Sequence, residues 1–144
     1  MYEPNDDDIK IQRSILDDER EPFVIRFFFN NKNTIYGFVA LGETGFTQYG
    51  LDIIAAGVSA LIINTIHSLK HLTKDHVEAE VQKKYSTCIL PELQTKNRGS
   101  KEAITLLKSL EIGIHSIQNT YGEKHITLEK LYEKQKTGLF KIFK

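Results

Sequence analysis

The sequence predicts an α+β fold: one domain with a small, mainly antiparallel sheet, two helices packed on one face, and the order β-β-α-β(β)-α-β. Three observations carry this. Residues 23–30 and 34–41 are dense in β-branched and aromatic side chains, and the polar cluster Asn30-Asn31-Lys32-Asn33 separates them, which is the pattern of a β-hairpin. Residues 52–72 form a run of small and branched apolar residues of helical length, opened by Asp52. Residues 100–121 place Ile104, Leu107, Leu110, Ile114, Ile117 and Tyr121 at helical spacing, and Gly122 follows as a stop signal.

The remaining elements follow in order. Residues 77–86 alternate Val77, Ala79 and Val81 with charge, and residues 87–90 are β-prone up to Pro91, giving one or two strands. Residues 94–99 read as a polar loop, and residues 125–132, with Ile126, Leu128 and Leu131, as a last strand. The first helix has apolar residues nearly all round, with Ala55 and Ser59 one turn apart and Ala56 and Ala60 beside them. One face can pack on the sheet; the other requires a second helix or a second copy of the chain.

The 144 residues suit a single core, and a formal net charge of zero supplies no global field toward nucleic acid or an anionic membrane. The charge is polarised, however. Residues 1–22 are an acidic N-terminal extension, in which Ile9, Ile11, Ile15 and Leu16 could form a short docked element. Residues 23–132 form the domain and residues 133–144 a basic C-terminal tail. The plain reading of both ends is solvated tails; the sharper one gives the basic tail an RNA or ribosomal contact. A lone cysteine, Cys88, suits a reducing cytoplasm, and the acidic start lacks the features of a signal peptide. The most apolar run, residues 53–63, is shorter than the ~20 residues of a membrane span and reads as a buried helix.

Residues 42–62 are the most informative stretch. A glycine-punctuated loop (Gly42, Gly45, Gly50) runs into Asp52, an expected N-cap able to accept the N–H of Ala55. Free backbone N–H groups and the positive end of a helix dipole there would stabilise an anion, a thiolate or a peptide carbonyl. The glycine spacing does not match a phosphate loop or a dinucleotide site.

This stretch resembles the signature of the Prp family, bacterial cysteine proteases that process a large-subunit ribosomal protein. The family pattern is Gly-His-Ala, a short loop, then Tyr-Gly-x-Asp-Ile-Val-Cys-Ala-(Ala/Gly)-x-Ser-Ala. Here the chain reads Gly42-Glu43-Thr44 and then Tyr49-Gly50-Leu51-Asp52-Ile53-Ile54-Ala55-Ala56-Gly57-Val58-Ser59-Ala60. The likeness continues more weakly through Asn64 and Leu72-Thr73, and the resemblance covers residues 23–131. It implies a Cys–His arrangement for acyl transfer, with the thiolate held at a helix start and a loop histidine as base. By the same resemblance the cysteine position is Ala55 and the histidine position Glu43, so no catalytic residue is intact. Gly42, Gly45, Tyr49, Gly50, Asp52 and Ser59 remain as loop or peptide-binding residues.

No other group restores the chemistry. Ser59 lies a turn inside the helix, and Cys88 in another element reads as core. His67 and His71 share a helix face and His76 follows, but no third ligand completes a metal site, so no metal or cofactor is expected. Glu43 and Asp52 at a helix start would stay ionised, which suits no general acid. The leading expectation is a catalytically inactive Prp-like protein that binds a peptide, such as a ribosomal protein's N-terminal segment. The resemblance also implies a homodimer packed through its helices. The alternatives are a cysteine endopeptidase whose nucleophile has been replaced by Ala55, against which Glu43 argues, a different enzyme on the same frame, and a structural protein acting on ribosomal components through its charged ends.

Overall fold

The computed structural model describes residues 23–42, 51–82, 84–122 and 124–133. The expectations for residues 1–22, for the glycine loop at 43–50 and for the tail from 134 lie outside these.

Strands β1 (Phe23–Phe29) and β2 (Ile35–Leu41) form the expected antiparallel hairpin, with Phe27 opposite Phe38 and Ile25 opposite Ala40. Alternation along β1 decides the layering: Phe23, Ile25, Phe27 and Phe29 are buried, whereas Val24, Arg26 and Phe28 are half-buried. One sheet face therefore carries the core. Strand β3 (Glu78–Val81) pairs antiparallel with β4 (Tyr85–Ile89), which pairs antiparallel with β2; β5 (Ile126–Tyr132) lies parallel to β1. The five-stranded sheet has the order β3-β4-β2-β1-β5 and is mixed, mainly antiparallel as expected.

Helix α1 (Leu51–Leu72) starts one residue before the expected cap Asp52, whose side chain is outside the description. Ile54, Ala55, Val58, Ile62, Ile66 and Leu69 are buried along it. By length and composition alone, Ile53–Leu72 could cross a membrane, so the apolar stretch runs further than residue 63. Here it is a core helix. Helix α3 (Lys101–Tyr121) begins as read, with the Ser100 hydroxyl accepting the Ala103 N–H at 3.0 Å, and Ala103, Leu107, Leu110 and Ile114 are buried. Tyr121, placed on the apolar stripe by its spacing, is exposed.

The two long helices meet antiparallel through two glycines. A side chain at Gly113 would meet Leu61, and one at Gly57 would meet Ile117, so each helix sets a branched side chain over the other's bare backbone. This covers a second face of α1. A strip containing Ile53, Ala56, Ala60 and Ile63 stays exposed.

A third helix corrects the expected polar loop. Helix α2 (Pro91–Lys96) carries Pro91 in its first turn, Glu92 at its start, Lys96 at its end and a left-handed Asn97 (φ 52°) as C-cap. A six-residue helix is marginal on propensity alone. It persists because Leu93 is buried and because Asn30 holds it. The Asn30 side-chain N–H₂ donates to the Leu93 carbonyl and to Asn97 Oδ1, both at 2.8 Å. Its Oδ1 accepts the N–H groups of Lys32 at 2.9 Å and Thr34 at 3.1 Å. A fully buried amide thus has all its polar capacity used, and it joins the β1–β2 turn to α2.

Candidate active-site cleft

The ends of the glycine loop are the way into the site. Gly42 closes β2 with φ +142°, a conformation L side chains rarely adopt, and a Cβ there would strike the Phe23 ring. Its N–H donates to the Lys84 carbonyl at 2.9 Å, tying the loop root to the β3–β4 turn. That turn is closed by the Gln82 N–H donating to the Tyr85 carbonyl at 2.7 Å. On the other side, Val58, Ser59, Ile62 and Ile63 of α1 face the same end of the sheet.

A cavity of about 160 Å³ opens between them. Its walls are mostly apolar: Phe23 and Ala40 from the hairpin, Val58, Ile62 and Ile63 from α1, Val81 and Tyr85 from the β3–β4 hairpin. Ser59, Gln82 and Ser86 add hydroxyl and amide groups, and Gly42 forms part of the rim. This volume suits one branched or aromatic side chain, and falls short of the ~300 Å³ and more typical of sites that enclose whole small ligands. Among the described lining residues there is no histidine, carboxylate or thiol. Tyr85 carries the nearest ionisable group, its phenol raised above the usual value by a hydrogen bond to Glu80, with desolvation and the Glu80 charge adding to it.

The sequence-predicted residues separate into three groups. Gly42 and Ser59 come together on the cavity, and Ser59 borders the open space rather than being sealed inside the helix. Ala55 lies one turn toward the helix start and is buried in the core. Glu43, Gly45, Tyr49 and Gly50 fall outside the described residues, as does the Asp52 side chain. The sequence reading missed Phe23, Ala40, Val81, Gln82, Tyr85 and Ser86. They reach the cavity from separate strands, brought together by the β1–β2 pairing and by the pairing of Ala40 with Ser86, Leu41 with Tyr85 and Val81 with Ser86.

The other candidates are chemically quiet. Cys88 is fully buried opposite Phe38, and burial raises its thiol to about 12 against a smaller lowering by Lys70. It is therefore protonated at neutral pH and no nucleophile. His67 and His71 stack at 6.0 Å on an exposed part of α1, beyond Ile63 and outside the cavity lining. His76 contacts Glu78 at 3.3 Å. Among the described residues no three metal-binding side chains cluster.

Comparison with known proteins agrees with this architecture. The structure of SMU.848 from Streptococcus mutans is similar with a TM-score of 0.68 at 20% identity, covering 78% of this chain and 97% of that one. The essential ribosomal processing protease Prp from S. aureus, in complex with a substrate peptide, gives a TM-score of 0.64 at 19% identity, covering 75% and 98%. The same protease with a covalently linked product peptide gives 0.63 at 17% identity over the same shares. No curated protein sequence matches significantly. The family model described as cysteine protease Prp matches residues 24–127, which span every strand and helix described except the first residue of β1 and all but the first two residues of β5. The chain belongs to the cysteine protease Prp family.

Proposed function

We propose that this chain is a Prp-family protein that binds an extended peptide at the loop–α1 cleft without cleaving it, in the setting of ribosomal-protein processing. The observation that carries the reading is the cleft's chemistry. A side-chain-sized apolar cavity lies against Val58 to Ile63 of α1, within a turn of Ala55, where the family signature calls for cysteine. A methyl group cannot attack a carbonyl, and Glu43 at the family's histidine position has no thiol to activate. Ser59 borders the cavity, but no base accompanies it among the described lining residues. Solved relatives with bound substrate and product peptides support an extended peptide as the ligand class. The exposed strip at Ile53, Ala56, Ala60 and Ile63 supports pairing with a second copy through α1.

The test uses a fluorescent peptide spanning the N-terminal processing site of the ribosomal protein. The chain as written is expected to raise its anisotropy saturably and to leave it uncleaved. Cleavage would sink the reading; absence of binding would favour a structural role. Ala55→Cys with Glu43→His is expected to restore cleavage. Recovery from Ala55→Cys alone would instead favour an endopeptidase whose nucleophile has been replaced. Sedimentation of the same sample reads the dimer.

A further inference from the structure

Helix α1 carries two imidazoles that take no part in the cleft. His67 and His71 are separated by Ser68-Leu69-Lys70, the i, i+4 spacing that sets both rings on one helix face. Their ring centroids lie 6.0 Å apart with planes inclined by 16°, so the rings stand side by side. Both residues are exposed. The backbone beneath them is fixed. Ile66 and Leu69 are buried in the core, and the Thr73 hydroxyl donates to the Leu69 carbonyl at 2.6 Å, closing the last turn. Other histidine rings are engaged by a different kind of neighbour, His76 by Glu78 at 3.3 Å and His115 by Asn119 at 3.1 Å. Among the described residues, His67 and His71 have only each other.

We propose that His67 and His71 chelate one late first-row divalent cation (Ni²⁺, Cu²⁺ or Zn²⁺) on the outer face of α1. Neutral imidazole suits these cations, and two of them at this helical spacing supply a two-point grip. A metal–nitrogen bond of about 2.1 Å and a tetrahedral angle put the two ring centres about 5 Å apart. From the 6.0 Å at which they stand, the rings have to close by about 1 Å. Their exposure lets them tilt that far, while the buried Ile66 and Leu69 hold the backbone. The site lies in the last turns of α1, where the carbonyl end of the helix dipole favours a cation. Lys70 and Lys74 oppose that charge, which sets a moderate affinity. The missing third ligand excludes a closed structural site; the remaining positions are left to water, and the cation exchanges. Neither histidine lines the cleft, so the metal site and peptide binding can each fail alone.

The probe is Ni²⁺ alone, titrated by calorimetry into the full-length chain without an affinity tag. Binding in the micromolar range is expected, with Cu²⁺ tighter and Mg²⁺ silent. His67→Ala and His71→Ala are each expected to weaken it at least about tenfold, because the second imidazole acts at high effective concentration. The decisive variant is His71→Leu/Leu72→His, which keeps the composition and moves one imidazole to i, i+5, off the shared face. Leu72 is 68% exposed, so the exchange leaves the core intact. The exchanged variant is expected to lose as much affinity as His71→Ala, and His115→Ala, on α3, to bind as the parent does. Equal affinity of the exchanged variant and the parent, or a loss on His115→Ala in its place, would overturn the proposal. So would the absence of saturable binding below about 1 mM. With Zn²⁺, the ring-proton resonances of His67 and His71 should shift together; movement of one without the other counts equally against the site.

Discussion

The two ends of the β1–β2 hairpin are built on opposite principles. At the turn end, Asn30 is fully buried and satisfied on every side, and its amide fastens the turn to α2. At the other end, Gly42 holds a left-handed backbone against the Phe23 ring, and an apolar cavity opens beside it. The first end converts polar groups into rigidity. The second keeps space open and holds the loop root in a conformation few residues accept. The difference separates a fastening from a site: saturation marks the one, unfilled volume beside strained backbone the other.

Three substitutions test that contrast, from the largest effect to the smallest. Asn30→Ala leaves the Lys32 and Thr34 N–H groups and the Leu93 carbonyl without their partner, and is expected to cost about 3 kcal/mol in urea unfolding. Peptide affinity should hold in the fraction that remains folded; a specific loss of binding there would merge the two ends into one functional unit. Gly42→Ala forces a side chain into positive φ and onto the Phe23 ring, costing about 2 kcal/mol. Because it displaces the cavity rim, peptide binding should weaken along with stability; a stability loss with unchanged affinity would break the link between loop root and cleft.

The smallest effect lies at a third junction, where Asp75 Oδ2 accepts the Ser100 N–H at 2.9 Å ahead of α3. Burial pushes the Asp75 carboxyl up, but hydrogen bonds from Ser100, Thr73 and its own backbone outweigh it, and the net value is lowered. A carboxylate lowered on folding stabilises the protein above its unfolded value of about 4, and that contribution fades as pH falls through the folded value. Asp75→Asn is therefore expected to cost less than about 1 kcal/mol at pH 7 and little in strong acid, flattening the acid decline by the same amount. An unaltered acid profile would show that Asp75 acts only as a neutral acceptor.

Much of this was legible in the chain wherever the signal was local and repeated. The apolar spacing of Leu107, Leu110 and Ile114 and the cap at Ser100 place α3 within a residue of its ends. The Asn30–Asn33 cluster gave the hairpin turn. Helix α2 escaped because six residues offer less than two turns of periodicity, and what stabilises it, Asn30, lies about sixty positions away. The parallel pairing of β5 with β1 escaped for a related reason: alternation shows that a strand exists, not which neighbour it takes. At the site, Gly42 and Ser59 could be named from the motif, but the cavity they border is assembled by strand register.

The meeting of α1 and α3 through Gly57 and Gly113 works as a ruler with two graduations. Sliding one helix by a turn would carry it 5.4 Å and lift Leu61 and Ile117 off the bare backbone that receives them. Val58, Ser59 and Ile62, which wall the cavity, stand between and beside those marks. The register of the helices beside the cleft is thus marked by these two contacts, and a methyl group at Gly113 would press on the tip of Leu61, which stands between Val58 and Ile62 of the cavity wall.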